Sequence, residues 1–288
     1  MDAVPDHGDV VALRWFESAL KARFAVPARS PSRPPTACPE RVIGRGSGSE
    51  PPPNPLGPPA LRRFVVETPR AVLGLAELPF RWRSLLDAPR GAGQPVMLLP
   101  GLFNTDRSMG LMKRYLRAIG YDVHGWELGR NFGQRSVGRD GAALFDRIAA
   151  TADATGQPVA LVGVSLGGIM ARLAAHRLPP GCVAQVVTVA APYAGSARST
   201  RVWRLYEWIS GESVDDPAVL AMAEEVRRPL PVPATAIWSA SDGLVNGFGC
   251  HVVDEPGCRA VEVPSSHYGV QTRATILRAV AEALAANR

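Results

Sequence analysis

From about residue 94 to the C-terminus, short apolar runs alternate with stretches of helical periodicity. VMLLP (96–100), YDVHGW (121–126), PVALVGV (158–164), VAQVVTVAAP (183–192), ATAIWSA (234–240) and CRAVEVP (258–264) read as strands. Between them, MGLMKRYLRAIG (109–120) reads as a helix closed by Gly120. Residues 137–155 form a second helix, with Leu144, Ile148 and Ala152 on one face and Gly156 as its stop. Leu166, Ile169 and Leu173 line a helix reaching Arg177, and Ile276, Val280 and Leu284 share a stripe of the last one. Strands as continuously apolar as VVTVAA are suited to burial on both faces. The pattern predicts an α/β fold: a mostly parallel central sheet with helices on both faces.

The pattern divides the rest of the chain. Within residues 1–26, Leu13, Phe16, Leu20 and Phe24 recur at three- and four-residue spacing, as in a short amphipathic helix. Residues 27–59 are rich in Pro, Ser, Gly and Arg and read as a linker, because they offer too little apolar surface to offset ordering entropy. Residues 60–93 read as a helical extension of one or two helices, interrupted near Pro69 and Pro79, that packs on the catalytic body at 94–288. Inside that body, about 193–232 breaks the strand–helix alternation. It reads as a small helical cap in which Trp203, Tyr206 and Trp208 either line an apolar substrate site or seat the insertion on the body.

Charge and cysteine usage narrow the function classes. The formal charge of +6 sits mostly in the first 90 residues. No zinc-finger spacing, RNA-binding aromatic motif or base-reading basic helix accompanies it, so no nucleic-acid partner is expected. Weak attraction to an anionic membrane surface stays open. Cys38, Cys182, Cys250 and Cys258 form no CxxC or His/Cys cluster, so no metal is expected. Cys250 and Cys258 flank a Pro256-Gly257 turn and could pair in an oxidising compartment. The N-terminus lacks the basic start and apolar run of a signal peptide, and no apolar window is long enough to span a bilayer. The sequence at face value is that of a cytoplasmic protein, or an extracytoplasmic one if those two cysteines pair. It does not speak to oligomeric state.

The strongest chemical signal is Gly163-Val164-Ser165-Leu166-Gly167, a G-x-S-x-G pattern between a strand and a helix. A sharp turn there pushes the serine out at the strand end, with small residues needed on either side. A serine hydroxyl needs a base, and the base needs an orienting acid. His267, after the sixth strand, would emerge at the same sheet edge as Ser165. His251 is a weaker rival, and His7, His124 and His176 fit less well. Asp242, after the fifth strand, is the preferred acid over Asp215, Asp216 and Asp254, because strand ends converge at one crevice in open parallel sheets. The oxyanion donors expected are the N–H groups of Leu166 and Leu102, with Phe103 as runner-up to Leu102 and a further substrate contact. Asn104 and Asp106 are candidates for holding the Leu102 loop through bonds to its own backbone.

On the segments LLPGLFN, GVSLGG, AAPYAGS, WSASDGLV and SSHYG, the chain from about 94 to 288 resembles the α/β-hydrolase superfamily, within it the bacterial lipase and esterase branch. The resemblance implies a Ser-His-Asp triad of Ser165, His267 and Asp242, oxyanion donors at Leu102 and Leu166, and a variable cap. It implies ester hydrolysis of a small-molecule or lipid substrate through an acyl-enzyme, and no cofactor. It also implies that LGRNFG (128–133) lies near the active-site entrance. Pro100 stands where many relatives have a histidine. Acyl transfer, thioester or amide hydrolysis on the same triad, and a non-catalytic binding protein on the same fold, are the alternatives.

Overall fold

The structure, a computed structural model, describes residues 57–138, 140–195, 198, 200–201, 207 and 213–287. The amphipathic helix expected within 1–26, nearly all of the 27–59 linker, and Trp203, Tyr206 and Trp208 lie outside the described residues.

Six strands form one parallel sheet: β1 (Pro95–Leu99), β2 (Asp122–Gly125), β3 (Val159–Val164), β4 (Val183–Val189), β5 (Ala234–Trp238) and β6 (Cys258–Glu262). Their order across the sheet is β2-β1-β3-β4-β5-β6. Every residue of β1 and β3 is buried, as the unbroken apolar runs require. Alternate side chains serve the two faces. Met97, Leu99 and Leu161 join Trp126, Ile148 and Met170 in one core. That core lies under helices Ala142–Thr155 and Leu166–Arg177, and the C-terminal helix Ala274–Ala286 contacts β4 and β5.

In chain order the helices are α1 (Leu61–Val65), α2 (Glu67–Ala76), α3 (Leu78–Leu86), α4 (Gly110–Ala118), α5 (Gln134–Val137), α6 (Ala142–Thr155), α7 (Leu166–Arg177), α8 (Pro217–Arg227) and α9 (Ala274–Ala286). The helix expected over 137–155 starts only at Ala142, as α6, and Val137 instead ends a separate short helix, α5. Gly138 and Gly141, both at positive φ, separate them.

The extension differs from expectation in a second way. It holds three helices, and Pro69 and Pro79 do not interrupt them. Each proline sits in the first turn of its helix, where the missing N–H has no intrahelical partner to lose. The breaks fall at Val66 and Glu77. Leu78, Trp82 and Leu85 of α3 are buried, and the Trp82 ring meets Tyr115 of α4 edge-on at 6.2 Å.

Cys250 and Cys258 do not pair; both are free thiols. Cys250 follows the short turn Gly247–Gly249 near the C-terminal end of β5, whereas Cys258 opens β6 opposite Ala234, the first residue of β5. The chain between them runs back along the sheet. Burial pushes both thiol pKa values up.

Trp82→Ala is expected to destabilise the protein by about 3 kcal/mol in chemical denaturation, the usual cost of emptying a large buried aromatic site. Phe80→Ala, at a side chain 90% exposed, is expected to stay within about 0.5 kcal/mol of the wild type.

Candidate active site

All six strands run the same way, so their C-terminal ends share one edge. Strand order reverses there, since the chain passes from β1 outward to β2 and then returns to β3 on the other side of β1. A crevice opens at such a switch point, outside the strand ends. The turn after β1 carries Leu102 and the turn after β3 carries Ser165.

Ser165 sits at φ 52°, ψ −119°, a region non-glycine residues rarely occupy. The surroundings hold it there. Its N–H donates to the Val189 carbonyl at 2.8 Å, and its own carbonyl accepts from Gly168 at 2.9 Å. The elbow is so tight that a side chain at Gly163 would strike the backbone of Gly167 and Gly168. One at Gly167 would strike the Leu99 and Pro100 carbonyls. The two glycines of the motif are therefore steric requirements of the strand-to-helix turn. Leu166 begins α7 directly after the serine, so its N–H has no acceptor within the helix.

A buried acid–histidine pair stands at the same edge. Asp242 follows β5 and His267 follows β6. Asp242 Oδ2 and His267 Nδ1 are 2.7 Å apart, and the carboxylate is 2% exposed. The other carboxylate oxygen accepts from the N–H groups of Leu244 and Val245 at 2.8 and 2.9 Å. Among the described residues, no hydrogen bond joins the Ser165 hydroxyl to the His267 ring. Such bonds are often loose before substrate arrives.

Burial of the His267 ring by itself lowers its pKa, but the charge and hydrogen bond of Asp242, with the charge of Glu67, outweigh it and leave the pKa raised. Folding thus makes the ring easier to protonate than it is in the unfolded chain. The pair's stabilising contribution is complete below the ordinary histidine pKa and fades as pH rises through the raised one.

The rival residues are occupied elsewhere. His251 stacks on Trp238 at 4.4 Å and burial lowers its pKa. Asp216 caps α8 by accepting from Ala218 N–H, Asp215 pairs with Arg198, and Asp254 is exposed in a turn at positive φ.

The loop after β1 separates the two oxyanion candidates. The Phe103 N–H is spent on the Asn131 carbonyl at 2.8 Å, so it is not free for a ligand. Among the described residues no acceptor takes the Leu102 N–H. The Phe103 ring meets Phe132 edge-on at 6.0 Å. Asp106 does not brace its own loop; it accepts from Trp126 and Glu127 N–H groups beyond β2. The brace is Asn131, fully buried, which donates to the Pro100 carbonyl at 2.7 Å and accepts from Gly133 N–H at 2.9 Å. Asn131 lies in LGRNFG, so a polar residue between two glycines was its one visible signal.

Ser165, Leu102 and Leu166 open onto an apolar cavity of about 200 Å³. Its far walls include Met170 of α7 and Met222 and Val226 of α8; Phe103, Asp242 and His267 do not line it. Tyr193, on another wall, is fixed by donating to Glu255 at 2.8 Å and by lying 3.8 Å under the Arg172 guanidinium. Arg172 is itself fully buried and paired with Glu255 at 2.7 Å. Among the described residues, no group of His, Cys, Asp and Glu gathers that could hold a metal ion, and no helix is long and apolar enough to cross a membrane.

The central parallel order, the reversal at β1/β3 and the strained serine between β3 and α7 decide the fold. This is the α/β-hydrolase fold. No family model matches the sequence, and no curated protein matches it. Several solved structures resemble it at low identity. A monoacylglycerol lipase of Paleococcus ferrophilus is 16% identical with a TM-score of 0.48, over 68% of this chain and 97% of that one. A putative aryl esterase from Burkholderia cenocepacia is 16% identical with a TM-score of 0.47, over 69% and 93%. An α/β-hydrolase from a lagoon-sediment metagenome is 20% identical with a TM-score of 0.42, over 66% and 90%. Likeness at this level says nothing of what this protein acts on.

Asp242→Asn is expected to bring the His267 pKa down, because it removes the charge that outweighs burial. A titration of the His267 ring by NMR reads this directly; an unchanged midpoint would show that the pair does not control the ring.

Proposed function

We propose that the protein is a serine hydrolase cleaving carboxylic esters, with an apolar acyl group seated in the cavity beside Ser165. The observation that carries the reading is the buried Asp242–His267 pair at the same sheet edge as a strained, cavity-facing serine. The fold alone would not, since one fold serves many chemistries.

In the proposed reaction His267 Nε2 accepts the Ser165 proton as the serine oxygen attacks the ester carbonyl. Asp242 holds the ring with Nδ1 protonated and stabilises the imidazolium. The negative oxygen of the tetrahedral intermediate accepts from the Leu102 and Leu166 N–H groups. Collapse returns the proton from His267 to the leaving alcohol, and water activated by His267 then releases the acid. Lipase-type action on long chains is the narrower form of this reading. The finite cavity favours esters of intermediate acyl length.

Ser165→Ala is expected to lower kcat for p-nitrophenyl octanoate by at least about 10⁴-fold, as loss of a triad nucleophile does elsewhere. A Ser165→Ala rate within about tenfold of the wild type would sink the assignment. Because each methylene seated in an apolar pocket is worth about tenfold or more in discrimination, octanoate should exceed acetate by at least about tenfold in kcat/KM. A preference for acetate would mean the cavity is not the acyl site.

A further inference from the structure

Glu67 is a carboxylate with no exposure at all, at the start of helix α2, which precedes the first strand of the sheet. Its hydrogen-bond donors are backbone N–H groups. Oε1 accepts from the N–H of Gly243 at 2.8 Å, and Oε2 accepts from the N–H groups of His267 and Tyr268 at 2.6 and 2.9 Å. Gly243 directly follows the acid of the acid–histidine pair, and His267 is its base. One carboxylate thus spans the two loops that must meet for that pair to form.

The surrounding contacts build the same bridge. Arg70, one turn on in α2, donates to the Ser241 carbonyl and hydroxyl at 2.6 and 2.8 Å and lies 3.9 Å from Glu67. Arg63 donates to the Ala240 carbonyl at 2.5 Å. On the other loop, Phe64 meets the Tyr268 ring edge-on at 6.3 Å, and Arg273 donates to the Arg70 carbonyl at 3.0 Å. Gly243 is not at positive φ; it is small because the backbone of Arg63 and Phe64 fills the space a side chain would need. The Asp-Gly pair therefore reads as a docking notch for α1 as well as a turn.

We propose that α1 and α2 are a built-in clamp on the two catalytic loops, with Glu67 the positioning residue that sets the spacing of Asp242 and His267. The clamp rests on the hydrolase reading for its purpose. Three N–H groups on two separate loops, one buried and two part-buried, converge on one fully buried carboxylate, an arrangement costly to leave unmade. It also adds negative charge beside the ring. The charged groups facing His267 are Asp242 and Glu67, with Arg70 beside Glu67 and Arg273 bonded to the Ser266 hydroxyl at 3.3 Å.

The test is Glu67→Gln in the full chain. An amide keeps the size but has one acceptor oxygen, so one loop must lose its anchor. Expected are a kcat at least tenfold lower, a KM within threefold of the wild type, and an acid limb of kcat/KM moved to lower pH. NMR should show a lower His267 pKa, and hydrogen exchange should show lost protection at Gly243 or at His267 and Tyr268. Glu77→Gln, at the exposed break after the same helix, is the control and should behave as wild type. A kcat within twofold of wild type, or an unmoved His267 pKa, overturns the proposal. If Glu67→Gln does not fold, Arg70→Gln decides, and a kcat within twofold of wild type then overturns it. The NMR and exchange readouts need no activity. A wild type that neither cleaves esters nor reacts with a fluorophosphonate would count against the hydrolase reading, while unaltered loops in Glu67→Gln would count against the clamp.

Discussion

A carboxylate buried to the extent of Asp242 is tolerable only when every lone pair it presents has a partner. Leu244 and Val245 N–H groups satisfy one oxygen and the His267 ring the other. Much of the architecture at this edge serves that condition. β5 and β6 must end side by side, as the register of Trp238 with Glu262 provides. The loops beyond them must then be held at hydrogen-bonding distance, and a second buried carboxylate, Glu67, does this from outside the sheet. The ring's pKa follows from the same arrangement, since two anions offset the burial that would otherwise favour neutral imidazole.

The serine side of the site obeys a different constraint, which is steric. The elbow exists because a fully buried strand runs directly into a helix, leaving one residue to make the turn. That residue is strained, and Gly163 and Gly167, two positions to either side, have no room for a side chain. The loop after β1 is locked opposite it by Asn131, which occupies the Pro100 carbonyl and, through its own carbonyl, the Phe103 N–H. Among the described residues the Leu102 N–H has no acceptor, and Leu102 lines the same cavity as Ser165.

The legible parts of this protein are those whose cause is local in sequence. The six strands and most helices announce themselves by period. Ser165 does so by a five-residue pattern with its flanking strand and helix. Asp242 and His267 were legible because each closely follows a strand, and parallel strands end together. Glu67 was not legible, because its three partners lie about 175 to 200 residues away and nothing in LRRFVVETPR marks that acid as buried. That Asn131 rather than Asp106 braces the loop after β1 rests on tertiary hydrogen bonds invisible to spacing. Cys250 and Cys258 misled because eight residues are close in sequence yet here span the length of a strand. Pro69 and Pro79 misled because a first-turn proline starts a helix as readily as a mid-helix proline breaks one.

The central claim is that the serine after β3, the free N–H groups of two loops and the acid–histidine pair act on one carbonyl. A crystal structure of the protein after reaction with an alkyl phosphonate tests it most directly. The account predicts phosphorus bonded to Ser165 Oγ, the phosphonyl oxygen within about 3 Å of both Leu102 N and Leu166 N, and His267 Nε2 turned towards Ser165 with its Asp242 bond kept. An adduct on any other side chain, or an imidazole pointing away from the modified serine, would contradict it.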